Sequence, residues 1–184
     1  MPDQFQPSTR NVQSAGLPPV TLVLGGARSG KSRFAEELIE QGAPPALYLA
    51  TAEPRDEEMS ARIAAHRTRR GGRWTTTEEP IEIVNILLAE TTRPVLVDCL
   101  TLWLSNLIGA QRDVGFEIER LLAALPQHKA PVVLVASEVG LGIVPENALA
   151  RTFRDHAGRL NQGVARLAQR VVFMAAGLPL GLKG

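Results

Sequence analysis

Residues 25–32 read Gly25-Gly26-Ala27-Arg28-Ser29-Gly30-Lys31-Ser32, a complete G-x-x-x-x-G-K-S phosphate-binding loop. An apolar run over residues 20–24 precedes the loop, and a helical pattern follows it. Glycines let backbone N–H groups turn toward phosphate oxygens, Lys31 adds positive charge near the terminal phosphates, and the Ser32 hydroxyl can bind Mg²⁺. The stretch predicts binding of a nucleoside triphosphate. The alternative is a glycine turn that joins two core elements without a ligand.

Composition indicates one domain with no general attraction to polyanions. The chain has 184 residues, 45% of them apolar, and its 20 basic and 19 acidic residues leave a formal net charge of +1. Such a balance argues against a global field that draws the protein to nucleic acid or an anionic membrane. We predict a flexible N-terminal extension over residues 1–19 and a single P-loop nucleotide-binding catalytic domain over residues 20–184.

The chain shows no targeting or membrane-spanning pattern. Residues 1–19 are polar and proline-containing, and no later run approaches the length of about 18 apolar residues needed to cross a bilayer. The single cysteine, Cys99, excludes an internal disulfide framework and fits a reducing compartment. We therefore expect a soluble, cytoplasmic protein.

Apolar runs and helical patterns alternate along the chain, which is typical of an α/β fold. The apolar runs are continuous, so they predict a mostly parallel sheet with helices on both faces, whose ligands collect beyond the carboxyl ends of the strands. The predicted strands cover residues 20–24, 46–51, 74–77, 94–97, 131–136 and 171–175, the last being the final strand. The predicted helices cover residues 31–41, 56–70, a segment from Pro80 through Leu88, 101–108, 116–125 and 148–170.

Carboxylates that follow the predicted strands are candidates for metal and acid–base chemistry. Asp98 ends one strand, where it can reach the water shell of Mg²⁺; the alternative is a carboxylate that caps the next helix. Cys99 beside it reads as a small buried residue rather than a nucleophile. Glu138 follows another strand, as a base for an attacking hydroxyl or, equally, as a solvated loop carboxylate.

His66 lies in an arginine-rich helical segment. Its spacing from Met59 and Ile63 places it on their side of the helix, which by itself favours a packed or capping histidine. The neighbouring arginines at positions 62, 67, 69, 70 and 73 form the densest basic cluster of the chain. Guanidinium groups match phosphate oxygens in pairs, so the cluster reads either as a polyphosphate site or as a solvated basic face.

Four segments together resemble one enzyme family: GGARSGKSRFAEEL, DEEMSARIAAHRTRR, VLVDCLTLWLSNL and SEVGLGIVPENALARTFRDHAGRLNQ. The family is the bifunctional adenosylcobinamide kinase / adenosylcobinamide-phosphate guanylyltransferase of cobalamin biosynthesis. The resemblance runs from about Val20 to the C-terminus and implies a RecA-like P-loop fold that assembles as a trimer. It also implies phosphorylation of adenosylcobinamide by ATP or GTP, followed by transfer of GMP from GTP through a guanylyl-histidine to adenosylcobinamide phosphate, with release of pyrophosphate.

Site residues follow from the resemblance at matching positions. His66 matches the histidine that carries GMP, and Lys31 joins it as a catalytic residue. Ser32, from the loop motif, and Asp98, from its place at a strand end, are the predicted Mg²⁺ ligands. The nucleotide-binding positions are Gly25, Gly26, Ala27, Arg28, Ser29, Gly30, Lys31, Ser32, Thr51, Ala52, Glu53, Arg67, Thr68, Arg69, Arg70, Glu78 and Asp98.

Two other functions compete with this interpretation. One is a P-loop small-molecule kinase without guanylyltransfer, in which His66 is structural. The other is a RecA-like nucleotide-driven module that acts on nucleic acid or a partner protein. The near-neutral net charge of the chain and its aromatic content of 4% disfavour binding to nucleic acid, because sites for single strands combine basic grooves with aromatic stacking platforms.

Overall fold

A central sheet organises the protein in the computed structural model, which describes residues 16–42, 45–53, 57 and 72–184. Seven strands form the sheet within those residues, in the order β3-β2-β4-β5-β1-β6-β7. The strands are β1 Val20–Gly25, β2 Ala46–Ala50, β3 Trp74–Glu78, β4 Val95–Asp98, β5 Val132–Ser137, β6 Arg170–Ala175 and β7 Leu178–Lys183. All neighbouring strands are parallel except β6 and β7.

The central strands are buried because helices cover both faces of the sheet, as the continuous apolar runs predict. The helices are α1 Lys31–Glu40, α2 Ile83–Ala89, α3 Leu100–Gly109, α4 Val114–Ala124 and α5 Ala148–Leu167, and α4 continues into a 3₁₀ turn over Leu125–Gln127. Helix α1 packs on one face, where Leu38 joins Val23 in a core cluster. Helices α2 to α5 cover the opposite face, where Trp103 joins Leu22 in a second and larger cluster.

Strand pairing places the phosphate loop near the middle of the sheet. Strand β1 lies between β5 and β6, and Gly25 at its end is opposite Ser137 and Met174. Strand β5 lies between β1 and β4, so Asp98 and the phosphate loop follow parallel strands at the same edge of the sheet with one strand between them. This edge is where parallel α/β sheets bind ligands.

The last predicted strand is not the final one. Residues 178–183 form β7, which pairs antiparallel with β6 after a turn at Ala176 (φ 52°) and Gly177 (φ 79°). The segment contains Pro179 and Gly181, which weaken a strand signal, but proline is tolerated on an edge strand such as this one. Positive φ angles at both turn positions match the twist of a two-residue hairpin.

Other boundaries differ from the predictions by a few residues at helix ends. The helix predicted over 148–170 ends at Leu167, because β6 begins at Arg170, and the helix predicted from Pro80 begins at Ile83. The helix predicted over 56–70 lies outside the described residues, apart from Glu57. No helix in the described part of the chain has the length and apolarity needed to cross a membrane.

Candidate active site

The phosphate loop connects β1 to α1 with a backbone that requires glycine. Gly25 (φ 151°) and Gly30 (φ 93°) have positive φ angles, and Gly30 is the residue before α1. A Cβ at Gly25 would lie 2.5 Å from the Met174 carbonyl oxygen and 2.7 Å from Ser29 Oγ. Real Cβ atoms do not approach other atoms so closely, so glycine is needed for both shape and space.

Two polar side chains are buried in this loop. Ser29 Oγ has no hydrogen-bond partner among the described residues, which is unusual for a buried hydroxyl. A hydroxyl in this position fits a donor to a phosphate oxygen of the nucleotide. Lys31 is only 8% exposed, and its Nζ donates to Gly26 O at 2.5 Å. Burial lowers the pKa of Lys31 from its ordinary 10.5, and the charge of the nearby Asp98 opposes that shift. A bound polyphosphate would restore a counter-charge to this ammonium group.

Asp98 lies at the end of β4 in electrostatic contact with Lys31. Its Oδ2 accepts a hydrogen bond from Tyr48 Oη at 2.6 Å, which orients the carboxylate. Ser32 is half-buried in the first turn of α1. A hydroxyl and a carboxylate are oxygen ligands of the kind that Mg²⁺ prefers, so the residues fit a magnesium ion that is partly bound by water.

Thr51 supports this edge of the sheet rather than facing outward. It is fully buried, and its Oγ1 both accepts from Cys99 N and donates to Cys99 O, each at 2.8 Å. Its carbonyl oxygen accepts from Asn106 Nδ2 at 2.8 Å. The Thr51 hydroxyl therefore holds the start of α3 against the end of β2, and the predicted nucleotide contact of this residue stays a prediction. Ala52 and Glu53, which follow it, are half-buried at the carboxyl edge.

Glu78 lies far along the sheet from the phosphate loop. It is exposed at the end of β3 and pairs with Ala50. Four strand spacings separate β3 from β1, which amounts to about 19 Å. A contact between Glu78 and nucleotide would therefore involve a part of the nucleotide remote from the phosphates in the loop.

Cys99 and Glu138 have contrasting surroundings. Burial raises the pKa of the Cys99 thiol to about 12, with the Asp98 charge adding to the effect, so its thiolate is scarce at neutral pH. Glu138 begins the segment after β5, and its N–H donates to Gly25 O at 3.1 Å. Its Oε1 accepts from Gly140 N at 2.5 Å, so the backbone of Glu138 lies beside the phosphate loop while its carboxylate is hydrogen-bonded within its own segment.

The predicted guanylyl-transfer segment lies outside the part of the chain that the structure describes. His66, Arg67, Thr68, Arg69 and Arg70 lie outside the described residues, and their roles stay predictions. Of the basic cluster, Arg73 is described, and its Nη1 donates to Glu40 O at 3.4 Å.

Three supporting residues were not predicted from the sequence. Tyr48 orients Asp98, Asn106 holds the Thr51 carbonyl, and Thr101 Oγ1 accepts from Ser137 N at 2.6 Å. The available signal was the presence of polar side chains inside apolar elements: Tyr48 is the only tyrosine of the chain, and Asn106 interrupts a leucine-rich helix. Such side chains need buried partners.

Comparisons with known proteins identify close relatives. The family model described as "Cobinamide kinase / cobinamide phosphate guanyltransferase" matches residues 21–182. The bifunctional adenosylcobalamin biosynthesis protein CobP of Pseudomonas aeruginosa is 49% identical over 168 residues, which cover 89% of this chain and 96% of that protein. The protein CobU of Salmonella typhimurium, which carries the same description, is 42% identical over 88% of this chain and 98% of its own.

Solved structures with little sequence similarity share the fold. The flagellar accessory protein FlaH from Methanocaldococcus jannaschii has a TM-score of 0.57 at 12% identity, covering 93% of this chain and 81% of that one. The Pyrococcus horikoshii protein PH0250 has a TM-score of 0.51 at 10% identity, covering 91% and 88%. With the mostly parallel sheet, these likenesses confirm the predicted α/β P-loop NTPase fold of the RecA-like class.

Proposed function

The chain belongs to the cobinamide kinase / cobinamide phosphate guanyltransferase family, and we propose that its one phosphate loop serves both reactions of that family. In the first reaction a nucleoside triphosphate phosphorylates the hydroxyl of adenosylcobinamide. In the second, GTP transfers GMP to adenosylcobinamide phosphate, which gives adenosylcobinamide-GDP and pyrophosphate. Both donors are triphosphates, and the loop has the form that binds them.

The burial of Lys31 between the loop and Asp98 is the observation that carries the proposal. A buried ammonium group beside one carboxylate has strong electrostatic influence on added phosphates, because water screens it little. Ser32 and Asp98 would hold Mg²⁺, which when bound neutralises charge on the β- and γ-phosphate oxygens. Glu138 lies beside the same loop and is proposed to accept the proton of the cobinamide hydroxyl.

His66 is proposed to carry the guanylyl group. A neutral imidazole nitrogen attacks the α-phosphorus of GTP, the bond between the α- and β-phosphates breaks, and pyrophosphate leaves. A phosphate oxygen of cobinamide phosphate then attacks the same phosphorus, and the phosphorus–nitrogen bond breaks. About three quarters of an imidazole with an ordinary pKa is neutral at pH 7, so the nucleophile is available. The run Arg67 to Arg70 follows it in sequence and would offset charge on the departing pyrophosphate.

Labelling with GTP that carries a radioactive α-phosphate tests this scheme. The protein is incubated with Mg²⁺ and the labelled GTP, denatured, and exposed to alkali or acid. We expect label that survives alkali and is released by acid, as a phosphoramidate is, and no label from GTP that carries the radioactive atom at the γ-phosphate. His66→Ala abolishes the label and retains kinase activity, whereas His156→Ala, which changes a half-buried histidine of α5, is labelled like wild type.

Lys31→Ala distinguishes one shared loop from two nucleotide sites. We expect it to lower both the kinase rate and the labelling of the protein, because the same ammonium group contacts both triphosphates. Loss of only one activity would contradict a shared loop. Undiminished label on His66→Ala would contradict the histidine assignment while leaving the family's reactions intact.

Assembly and location are further parts of the proposal. We propose a trimer in the cytoplasm, with adenosylcobinamide and its phosphate as the substrates and neither nucleic acid nor membrane as a partner. The open edge of the sheet supports self-association, because Leu178, Leu180 and Leu182 of β7 are each more than half exposed. Light scattering coupled to size-exclusion chromatography measures the mass directly. A monomeric mass at micromolar concentration would contradict the trimer.

A further inference from the structure

The segment between β5 and α5 exposes large apolar side chains beside the active site. Leu141 is 82% exposed, Ile143 98%, Val144 60%, and Leu149, at the start of α5, 62%. These four residues are called the apolar run below. Single exposed apolar residues are ordinary in proteins, whereas large exposed apolar patches mark interaction sites, and here four such residues lie within nine positions of sequence.

The segment that carries the apolar run is anchored at both ends by hydrogen bonds to or from its main chain. Glu138 N donates to the phosphate-loop residue Gly25, and Arg154 Nη2 donates to Gly140 O at 2.7 Å. At the other end, Arg151 Nη1 donates to Pro145 O at 3.0 Å, and Asn147 Oδ1 caps α5 by accepting from Ala150 N at 3.1 Å. The backbone of the segment that carries the apolar run is therefore fixed, although the side chains of the apolar run are exposed to solvent. This segment is called the anchored loop.

The anchored loop is within a short reach of the phosphate loop. Ile143 follows Glu138 by five residues, so their Cα atoms are at most about 18 Å apart. A groove of about 370 Å³ adjoins the loop, lined by Gly140, Arg154, Asp155, Gly158, Arg159 and Gln162. Its guanidinium, carboxylate and amide groups supply both hydrogen-bond donors and acceptors.

We propose that the apolar run and this groove bind the corrin ring of cobinamide, an inference that rests on the proposed function. Cobinamide combines a broad, largely apolar ring with a rim of carboxamide groups, and its reactive hydroxyl is on a flexible arm. The apolar run covers the ring, and the groove pairs with the carboxamides, as in sites where apolar contact supplies affinity and a few polar groups set orientation. Continuity with the phosphate loop through Glu138 favours this occupant, because the arm must place its hydroxyl beside the transferred phosphate.

Equilibrium dialysis of cobinamide against the full-length protein with Mg²⁺ and a non-hydrolysable GTP analogue tests the proposal. Ile143→Ser removes most of the apolar surface of the most exposed residue in the run. We expect the Kd for cobinamide to rise at least about tenfold, while the KM for GTP and the α-phosphate labelling stay as in wild type. Leu88→Ser is the matched control: it replaces another exposed apolar residue, 45% exposed on α2, and binds cobinamide like wild type.

The outcomes separate this inference from the proposed function. Wild-type protein that fails to bind cobinamide would overturn both. Wild-type binding with an unchanged Kd in Ile143→Ser would overturn only the assignment of the run. A change in molecular mass for Ile143→Ser, with unchanged cobinamide affinity per chain, would assign the run to contact with a second copy and overturn the inference. Weaker cobinamide binding at unchanged mass and unchanged labelling supports it.

Discussion

Replacing Thr51 by valine separates a structural hydroxyl from a nucleotide ligand. Valine has nearly the same shape, so the substitution removes the hydroxyl and leaves the packing in place. In the structure that hydroxyl is wholly engaged by the backbone of Cys99, the residue before α3. We expect Thr51→Val to unfold more easily and to bind GTP normally.

The magnitude follows from the groups that lose a partner. Cys99 O still accepts from Trp103 N at 3.1 Å, so it keeps one hydrogen bond. Cys99 N loses its acceptor, and a buried unpaired N–H costs about 1–3 kcal/mol. Loss of the hydroxyl's own donated bond adds about 1 kcal/mol, so we expect the free energy of unfolding to fall by about 2–4 kcal/mol.

Urea unfolding and a GTP titration measure the two effects on one preparation. Thr51→Ser is the control, because it keeps both hydrogen bonds and loses one methyl group, at about 1 kcal/mol. We expect the Kd for GTP to stay within about threefold of wild type for both variants, since less than 0.7 kcal/mol of binding is involved. A valine variant with wild-type stability and a GTP affinity at least about tenfold weaker would refute this reasoning and identify the Thr51 hydroxyl as a nucleotide ligand.

Three further predictions concern the loop and the pH dependence. Burial lowers the pKa of Lys31 below its ordinary 10.5, so we expect the affinity for GTP to fall as the pH rises through that lowered pKa and the ammonium group loses its positive charge. Calorimetry of GTP binding in two buffers detects the proton that Lys31 takes up when GTP binds. Lys31→Met abolishes that proton uptake. Across the same window the unfolded chain binds more protons, so this group's contribution to stability increases with pH. Gly25→Ala weakens GTP binding at least about tenfold and lowers the free energy of unfolding by about 1–3 kcal/mol, whereas Gly26→Ala, whose Cβ meets no atom within 4 Å, folds as stably as wild type in urea. The hydrogen bond from Arg93 lowers the pKa of Glu90 from 4.5 to about 2, so the Glu90 carboxylate stabilises the fold above pH 4.5 and this stabilisation is lost as the pH falls toward 2. We expect Glu90→Gln to be less stable than wild type by about 1 kcal/mol at neutral pH. The urea midpoint of Glu90→Gln, unlike that of wild type, lacks this fall in stability between pH 4.5 and 2.

Much of the sheet could be predicted because its strands carry their own signal. Strand β5 is a continuous apolar run that begins one residue after Pro131, and the predicted and observed limits differ by one residue at each end. Strand β7 could not be predicted in this way, because Pro179 and Gly181 obscure its pattern and all six of its residues are exposed. Its formation depends on the partner β6 and on the turn at Gly177 rather than on burial.

The phosphate loop was predictable for a related reason, whereas its supports were not. Eight consecutive residues encode the loop, so spacing along the chain suffices to find it. Thr51 and its partner Cys99 are 48 residues apart, and Tyr48 and Asp98 are 50 apart. Sequence order alone does not reveal such pairs. The prediction placed Thr51 at the correct edge of the sheet, but sequence order did not reveal that its hydroxyl bonds to the backbone of Cys99.

Two main-chain hydrogen bonds hold the phosphate loop from opposite sides. Together they explain how a glycine-rich segment can keep the phosphates of a bound nucleotide in a fixed position. Glu138 N donates to Gly25 O from the β5 side, and Gly177 N donates to Ser29 O at 3.2 Å from the turn between β6 and β7. Rate enhancement by orientation requires the reacting atoms to stay within a few tenths of an ångström of their positions. The first bond also joins the loop to the segment that carries the apolar run, so the proposed nucleotide and cobinamide sites lie on two backbone segments that are hydrogen-bonded to each other. The strand β7 that the sequence pattern missed therefore contributes to the site through its turn, although none of its side chains is predicted to touch a substrate.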